Sequence, residues 1–262
     1  YMKGVLLSGG TGSRLRPITH TGPKQLVPVA NKPVLEYAID DLKEAGITEI
    51  GVILGNKGQG EIQELLGDGS KYGVDITYIV QGNPLGLAHA AGCAREFVGD
   101  DDFVMYLGDN ILKSGVTDLV ESFEAGDYGA GIALQEVENP QAFGIADVDD
   151  AGNVTELIEK PDEPPTNLAL IGMYVFSPAV FEAIDDLEPS WRGELEITDA
   201  IQSLLEGGHA IDSHVVTGWW KDTGKPEDIL HANRLVLEDT ELTTTGTVAD
   251  GAEIDGRIEL HK

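Results

Sequence analysis

The feature that most constrains the fold is an alternation of strand-like and helical patterns through the first half of the chain. KGVLL is a short apolar run, and a loop separates it from PVLEYAIDDLKEAG. In that second segment Val34, Leu35, Tyr37, Ala38, Ile39 and Leu42 recur at helical spacing, and Gly46 supplies a stop. EIGVILG reads as a strand, GQGEIQELLG as a helix and DITYIVQ as a strand. GLAHAAGCAREFV follows as a helix, FVMYLGDN as a strand and GVTDLVESFEAG as a helix. Such βαβα order predicts an α/β domain with a mostly parallel sheet and helices on both faces. After about Gly129 the pattern changes to GAGIALQEV, FGIADVD, VTELIEK and LIGMYVFS, which are strand-like with turns between them. AVFEAIDDL and ITDAIQSLLEGG are helical, DSHVVTGWWKD reads as one more strand, and PEDILHANRLVLED as a final helix.

The most informative local segment is LLSGGTGSRLRPITHTGPKQLVP. An apolar strand runs into Gly9, Gly10 and Gly12, with Arg14, Arg16 and Lys24 close behind. Glycines let backbone N–H groups approach an anion, and a helix N-terminus beside them would add a favourable dipole. The third glycine of a dinucleotide fingerprint is missing, and so is the Gly-Lys-Ser/Thr ending of a Walker loop. Fixed cations beside the glycines point to phosphate.

They stand out because the chain is so acidic. Its 262 residues carry 17 Lys plus Arg against 46 Asp plus Glu, a net charge of −29. This argues against nucleic acid or an anionic membrane as partner. It fits a surface adapted to molar salt, where repulsion is screened over roughly 3 Å. Cys93 is the single cysteine, so no intrachain disulfide forms, and its helix of small residues suggests a buried, inert thiol. The six histidines lack metal-ligand spacing. No apolar run nears the roughly 20 residues of a membrane span. With no signal peptide ahead of Met2, a cytoplasmic protein is expected; Tyr1 reads as an addition before the natural start.

SGGTGSRLRPIT followed by PKQLVPVANKP resembles the signature of sugar-1-phosphate nucleotidylyltransferases, and most of all that of glucose-1-phosphate thymidylyltransferases in a haloarchaeal long form. VQGNPLGLAHA, YLGDN, FGIADVD, EKPDEPPTNLALIGMYVF, RGELEITDAI and WWKDTG look like later family motifs in the right order, across most of residues 3–235. The resemblance implies a Rossmann-like nucleotidyltransferase fold with a mixed, mostly parallel central sheet. A catalytic domain would span 2–239, its nucleotide half about 2–110 and its sugar half about 111–239. It implies transfer of a nucleotidyl group from dTTP, or alternatively UTP, to glucose 1-phosphate with release of pyrophosphate. Mg²⁺ would be the cofactor, and a homo-oligomer is expected. A noncatalytic sensor subunit is the remote alternative.

Residue by residue, the resemblance puts the triphosphate on Gly9, Gly10 and Gly12. Arg14 would neutralise the departing pyrophosphate, and Lys24 would contact the α-phosphate or the sugar phosphate. Leu7, Gln81, Pro84 and Gly86 would form the base pocket; the Gln81 amide, both donor and acceptor, suits a thymine or uracil edge. Asp109 and Asp222 would hold the metal. Glu159 would bind sugar hydroxyls and Lys160 the sugar phosphate. Gly144, Asn167, Gly172 and Tyr174 would surround the sugar. Phe143 stands where many relatives have Tyr. In RGELEITD, Glu194, Glu196 and Asp199 read as mainly structural, beginning the next helix, with Glu194 a substrate neighbour. The last stretch, 240–262, has short apolar–Gly steps. These read either as the start of a β-helix, left-handed by resemblance and continuing in a longer tail, or as an ordinary strand and turn.

Overall fold

A computed structural model describes residues 1–262 except 242, 245, 254, 256–258, 261 and 262. Strand β1 (Met2–Leu7) leads through three single turns of 3-10 helix (Ser13–Leu15, Ile18–His20, Lys24–Leu26) into the hairpin of β2 (Pro28–Val29) and β3 (Lys32–Pro33). Helix α1 (Val34–Glu44), β4 (Glu49–Leu54), α2 (Gln59–Leu66) and β5 (Asp75–Val80) follow. Next come α3 (Leu87–Cys93), α4 (Arg95–Val98), β6 (Asp102–Leu107), β7 (Asn110–Leu112) and α5 (Thr117–Glu124). The second half holds β8 (Tyr128–Glu136), β9 (Gly144–Val148), β10 (Val154–Glu159), β11 (Leu168–Phe176), α6 (Ala179–Asp185) and α7 (Ile197–Glu206). It ends with β12 (Ala210–Val215), β13 (Trp220–Asp222), α8 (Pro226–Asp239), β14 (Thr243–Thr244) and β15 (Glu259–Leu260).

The central sheet has nine strands. Its path runs β10-β9-β11-β6-β1-β4-β5, with β8 between β11 and β12. β1, β4, β5 and β6 are mutually parallel, and β12 is parallel to β8. β11 runs antiparallel to both β6 and β8. Direction therefore reverses at β11 and returns at β8, β9 and β12, with β10 again opposed, giving the mixed, mostly parallel Rossmann-like arrangement expected of a nucleotidyltransferase.

Strand periodicity builds the two faces. Val5 and Leu7 of β1, with Phe103 and Met105 of β6, pack against α3, α4, α6 and α7. Leu6, Val104 and Tyr106, one residue out of phase, pack against α1, α2 and α5. Val5, Leu6, Phe103 and Tyr106 are wholly buried. A third cluster, of Leu15, Val27, Val29, Val34, Ile111, Ile229 and Ala232, fastens α8 to the loop after β1.

Two expected elements divide. The helix through Cys93 breaks at Ala94, and DSHVVTGWWKD becomes β12 and β13 with Gly218 at φ 85° between them. No α-helix starts at the glycine loop. Gly12 caps one 3-10 turn, and the first α-helix begins at Val34. The anticipated dipole is therefore missing, since a single turn aligns too few peptides. The expected β-helix start falls partly on residues outside those described. Within them, β14 pairs parallel with β15, Thr243 opposite Glu259.

Candidate active site

β1 is the strand at which the connections change direction. From β1 the chain crosses to β4 and β5 on one side, then returns to β6 on the other. Ligands of open α/β sheets bind at the carboxyl ends of strands beside such a switch. The loops leaving β1 and β6 there are Ser8-Gly9-Gly10 and Gly108-Asp109. Between them opens a cavity of about 260 Å³, lined by Leu7, Gly9, Gly10, Lys24, Gln81, Pro84, Gly86, Leu87, Ala90, Leu107, Asp109 and Glu194.

Geometry requires glycine at two of its positions. Gly10 has φ 115°, and a Cβ there would stand 3.1 Å from Lys24 Cε. Gly86 has φ 112°, and its Cβ would strike the Leu195 carbonyl at 2.4 Å. That close approach lets two segments dock, because Leu195 N–H donates to Leu85 O at 2.8 Å and Ala88 N–H to Leu195 O at 3.1 Å. Gln25, buried under the loop, donates from Nε2 to Gly9 O at 2.7 Å. Gly12 stays out of the cavity lining and packs on Thr19, which donates to its carbonyl at 2.5 Å.

Two acidic residues far apart in sequence meet at one edge of the cavity. β13 pairs antiparallel with β7, setting Asp222 opposite Asn110. Thr223 then ties the strands together, donating from N–H and Oγ1 to Asp109 O at 3.0 and 2.6 Å. Lys24 is ion-paired to Asp109. Burial, then the nearby charge of Asp109, pushes the Asp222 carboxyl up to about 6, with Lys24 and Arg14 opposing. Asp222 Oδ1 is buried without a hydrogen-bond partner. A Cβ on Gly224 would sit 3.0 Å from Asp222 Oδ1 and 3.3 Å from Arg14 Nη2, so glycine keeps that gap open.

The donor set suits a hard cation. Mg²⁺ takes oxygen ligands, commonly one or two carboxylates with waters and phosphates completing its shell. Among the described residues no group of three or more His, Cys, Asp or Glu is arranged to hold a metal. Asp109 and Asp222 would hold one only together with substrate or water oxygens.

The other acidic cluster surrounds Glu159, at the end of β10 opposite Gly144 of β9. Thr198 Oγ1 donates to Glu159 Oε2 at 3.1 Å, and Lys160 Nζ lies 3.8 Å from Oε1. Lys160 itself is held at φ 43°, an uncommon conformation for a lysine, with its N–H donating to Phe143 O at 3.0 Å. Arg192 reaches Glu159 at 3.4 Å, Glu194 at 3.2 Å and Glu196 at 3.2 Å. Burial, with the Glu196 charge, raises the Glu159 carboxyl above its ordinary range despite these cations.

The remaining residues fall at varied distances from this centre. Gly144 touches the cluster, since its Cβ would meet Glu159 Oε2 at 3.0 Å. Gly172 backs on to Asn110 and Leu107. Asn167 is exposed ahead of β11 and outside the cavity lining. Tyr174 is buried in the core with its ring stacked on Phe176, although the Glu159 charge reaches its hydroxyl. Phe143 meets Trp220 edge-on at 5.7 Å. Helix α7 does begin at Ile197 with Asp199 in its first turn, yet Glu196 makes no cap bond. It instead receives Ser190 Oγ at 2.8 Å and Arg192. Arg192 is one residue missed by sequence reasoning; an arginine two and four residues before glutamates was the available signal.

Comparison with known proteins shows the family. The chain belongs to the nucleotidyl transferase family, whose pattern it matches over residues 3–239. It is 87% identical over 99% of its length to the low-salt glycan biosynthesis nucleotidyltransferase Agl11 of Haloferax volcanii, covering 72% of that protein. It is 54% identical over 98% of its length to a glucose-1-phosphate thymidylyltransferase of Streptomyces antibioticus, again covering 72%. A UTP–glucose-1-phosphate uridylyltransferase of Haloferax volcanii, AglF, shares 39% identity over 93% of this chain and 100% of its own. A Bacillus anthracis structure described as a glucose-1-phosphate thymidylyltransferase superposes with a TM-score of 0.85 at 40% identity, covering 93% of this chain and 98% of that one. Among the described residues no helix is long and apolar enough to cross a membrane.

Proposed function

We propose that this chain transfers a thymidylyl group from dTTP to glucose 1-phosphate. The observation that carries the reading is the meeting of Lys24, Asp109 and Asp222 beside a cavity edged by Gln81. Nucleotidyl transfer on to a sugar 1-phosphate is the chemistry such an arrangement suits; dTTP is the finer reading, supported by the 54% identity to a thymidylyltransferase.

A phosphate oxygen of the sugar attacks the α-phosphorus in line. The new O–P bond forms as the bond to the β-phosphate oxygen breaks, and pyrophosphate departs with that electron pair. No covalent enzyme intermediate is required, so rate comes from positioning and charge neutralisation. Gly9 and Gly10 bring backbone close to the triphosphate, and Lys24 holds its ammonium at the cavity edge. Arg14 faces the leaving side. Lys160 anchors the sugar phosphate, while Glu159, kept in place by Thr198 and Arg192, accepts from sugar hydroxyls. Mg²⁺ held by Asp109 and Asp222 would supply positive charge to the phosphate oxygens.

A uridylyl reading is favoured by the 39% identity to AglF. The two readings differ by a base methyl, typically worth ~1–3 kcal/mol, and by a ribose hydroxyl. Retention of Arg14, Lys24, Asp109, Lys160 and Asp222 speaks against a noncatalytic sensor. The test is pyrophosphate release with glucose 1-phosphate and Mg²⁺ in high KCl, comparing dTTP, UTP, ATP, CTP and GTP. Preference for dTTP is expected. Preference for UTP moves the assignment to uridylyl transfer, and no release from folded protein with any nucleotide overturns both.

A further inference from the structure

We propose that His89 fixes the orientation of the Gln81 carboxamide and so makes this wall of the cavity select an imide base, thymine or uracil, over cytosine. The inference rests on the reading of the cavity as the nucleotide site.

Gln81 directly follows β5, and its N–H donates to Leu54 O at 3.0 Å, so the main chain is held by the sheet. His89 stands in the first turn of α3, the helix that begins beside Gly86. The side-chain nitrogen of Gln81 faces two partners: Gly86 O at 3.4 Å and His89 Nδ1 at 3.1 Å. A carbonyl oxygen only accepts. The nitrogen end of the carboxamide therefore belongs at Gly86, because turning it over would set oxygen against oxygen. With one N–H directed at Gly86, the other requires a lone pair on His89 Nδ1, which puts the ring proton on Nε2.

This leaves Gln81 Oε1. It lies 3.6 Å from the position of a Cβ on Gly9, and Gly9 and Gln81 both line the cavity. The wall thus offers an oxygen that accepts and cannot donate. Thymine and uracil carry an N–H donor between two carbonyls; cytosine carries a bare ring nitrogen at the same place. The oxygen welcomes the first and meets the second lone pair to lone pair. A site built around a hydrogen bond rejects a partner that lacks it far better than an apolar pocket rejects a methyl group. Without His89, one longer bond to Gly86 O would remain, and the carboxamide would turn over freely enough to show its nitrogen to the base. His89 touches Gln81 and has no place among the reacting atoms, so it is a positioning residue.

The test uses the full chain with Mg²⁺ and glucose 1-phosphate, measuring pyrophosphate release from dTTP, UTP, dCTP and CTP. Three variants are compared: His89→Ala, His89→Asn and His89→Gln. Asparagine returns an oxygen acceptor at the place of Nδ1, whereas glutamine puts its carboxamide at the place of Nε2. For His89→Ala the KM for dTTP should rise about tenfold, the scale of one neutral hydrogen bond, with kcat little altered. The dTTP-to-dCTP ratio of kcat/KM should narrow by at least about as much. His89→Asn should recover both quantities, and His89→Gln should behave as a loss even where the alanine variant is unstable. An unchanged dTTP-to-dCTP ratio in His89→Ala or His89→Gln overturns the proposal. So does equal impairment of His89→Asn and His89→Gln through kcat alone. Failure of the underlying site reading looks different: Gln81→Ala would then leave the KM for dTTP unchanged.

Discussion

Replacing Asp41 by Asn is expected to stabilise the protein at neutral pH. Asp41 lies on the inner side of α1 and accepts a hydrogen bond at 2.7 Å from the hydroxyl of Tyr106, a side chain with no exposed surface. Burial pushes its carboxyl up to about 6, with the charges of Glu44 and Asp40 adding and the Tyr106 bond and Lys32 opposing. A folded pKa above the unfolded value means that the folded state binds this proton more tightly. The carboxyl's contribution is therefore fully present below about pH 3.8 and lost as pH rises through about 6. At pH 7.5 the folded protein holds a charge it disfavours, at a ceiling of about 3 kcal/mol. Asp41 also borders an open cleft with Tyr37, Lys113 and Trp219, and solvent there lowers the figure to about 1–2 kcal/mol. Asn keeps an oxygen for Tyr106 and carries no charge. Asp41→Asn should raise the melting temperature at pH 7.5 by roughly 2–8 °C, and the gain should shrink steadily toward pH 5. Thermal scans of both proteins at fixed KCl and several pH values measure this, with turnover as a control that should not move. A destabilised variant at pH 7.5, or a gain as large at pH 5, would refute the reasoning.

Three further outcomes follow from the site and the surface. Asp222→Asn should fold and lose about 100-fold or more in turnover, since the carboxylate proposed to hold Mg²⁺ becomes neutral; near-wild-type turnover at saturating Mg²⁺ would remove Asp222 from that role. Arg192→Ala removes the cation shared by Glu159, Glu194 and Glu196, so stability should fall by about 1–2 kcal/mol, the cluster being partly open to solvent, and the KM for sugar phosphate should rise; an unchanged melting curve would show the cluster to be slack. If the net charge of −29 is an adaptation to salt, stability should climb from dilute buffer toward molar KCl, and maximal stability in dilute buffer would contradict this.

The sequence was most legible where structure is local. The run through Val5, Leu6 and Leu7 became the central strand because its alternate residues feed both cores. It was least legible where one residue redirects the chain. Val216 continues the pairing of β12 through its N–H to Leu134 O at 2.9 Å, and Gly218 then turns the backbone into β13. That turn carries Asp222 to Asp109, and no local periodicity in WWKDTG announces a partner so distant in sequence. The meeting was anticipated through family resemblance, and the strand pairing of Asp222 with Asn110 supplies its physical cause.

A single segment joins the wall of the cavity to the cluster around Glu159. Leu195 docks its backbone against Leu85 and Ala88, beside the Gly86 wall of the cavity. Three residues earlier, Arg192 holds Glu159 and Glu196. A Cβ at residue 86 would stand 2.4 Å from the Leu195 carbonyl, so glycine there is what lets the wall pack backbone to backbone on this segment. A shift of that segment at the Glu159 cluster would be felt at the cavity wall through packed backbone. Coupling of this kind needs no domain rotation, only the continued rigidity of one loop anchored at both ends.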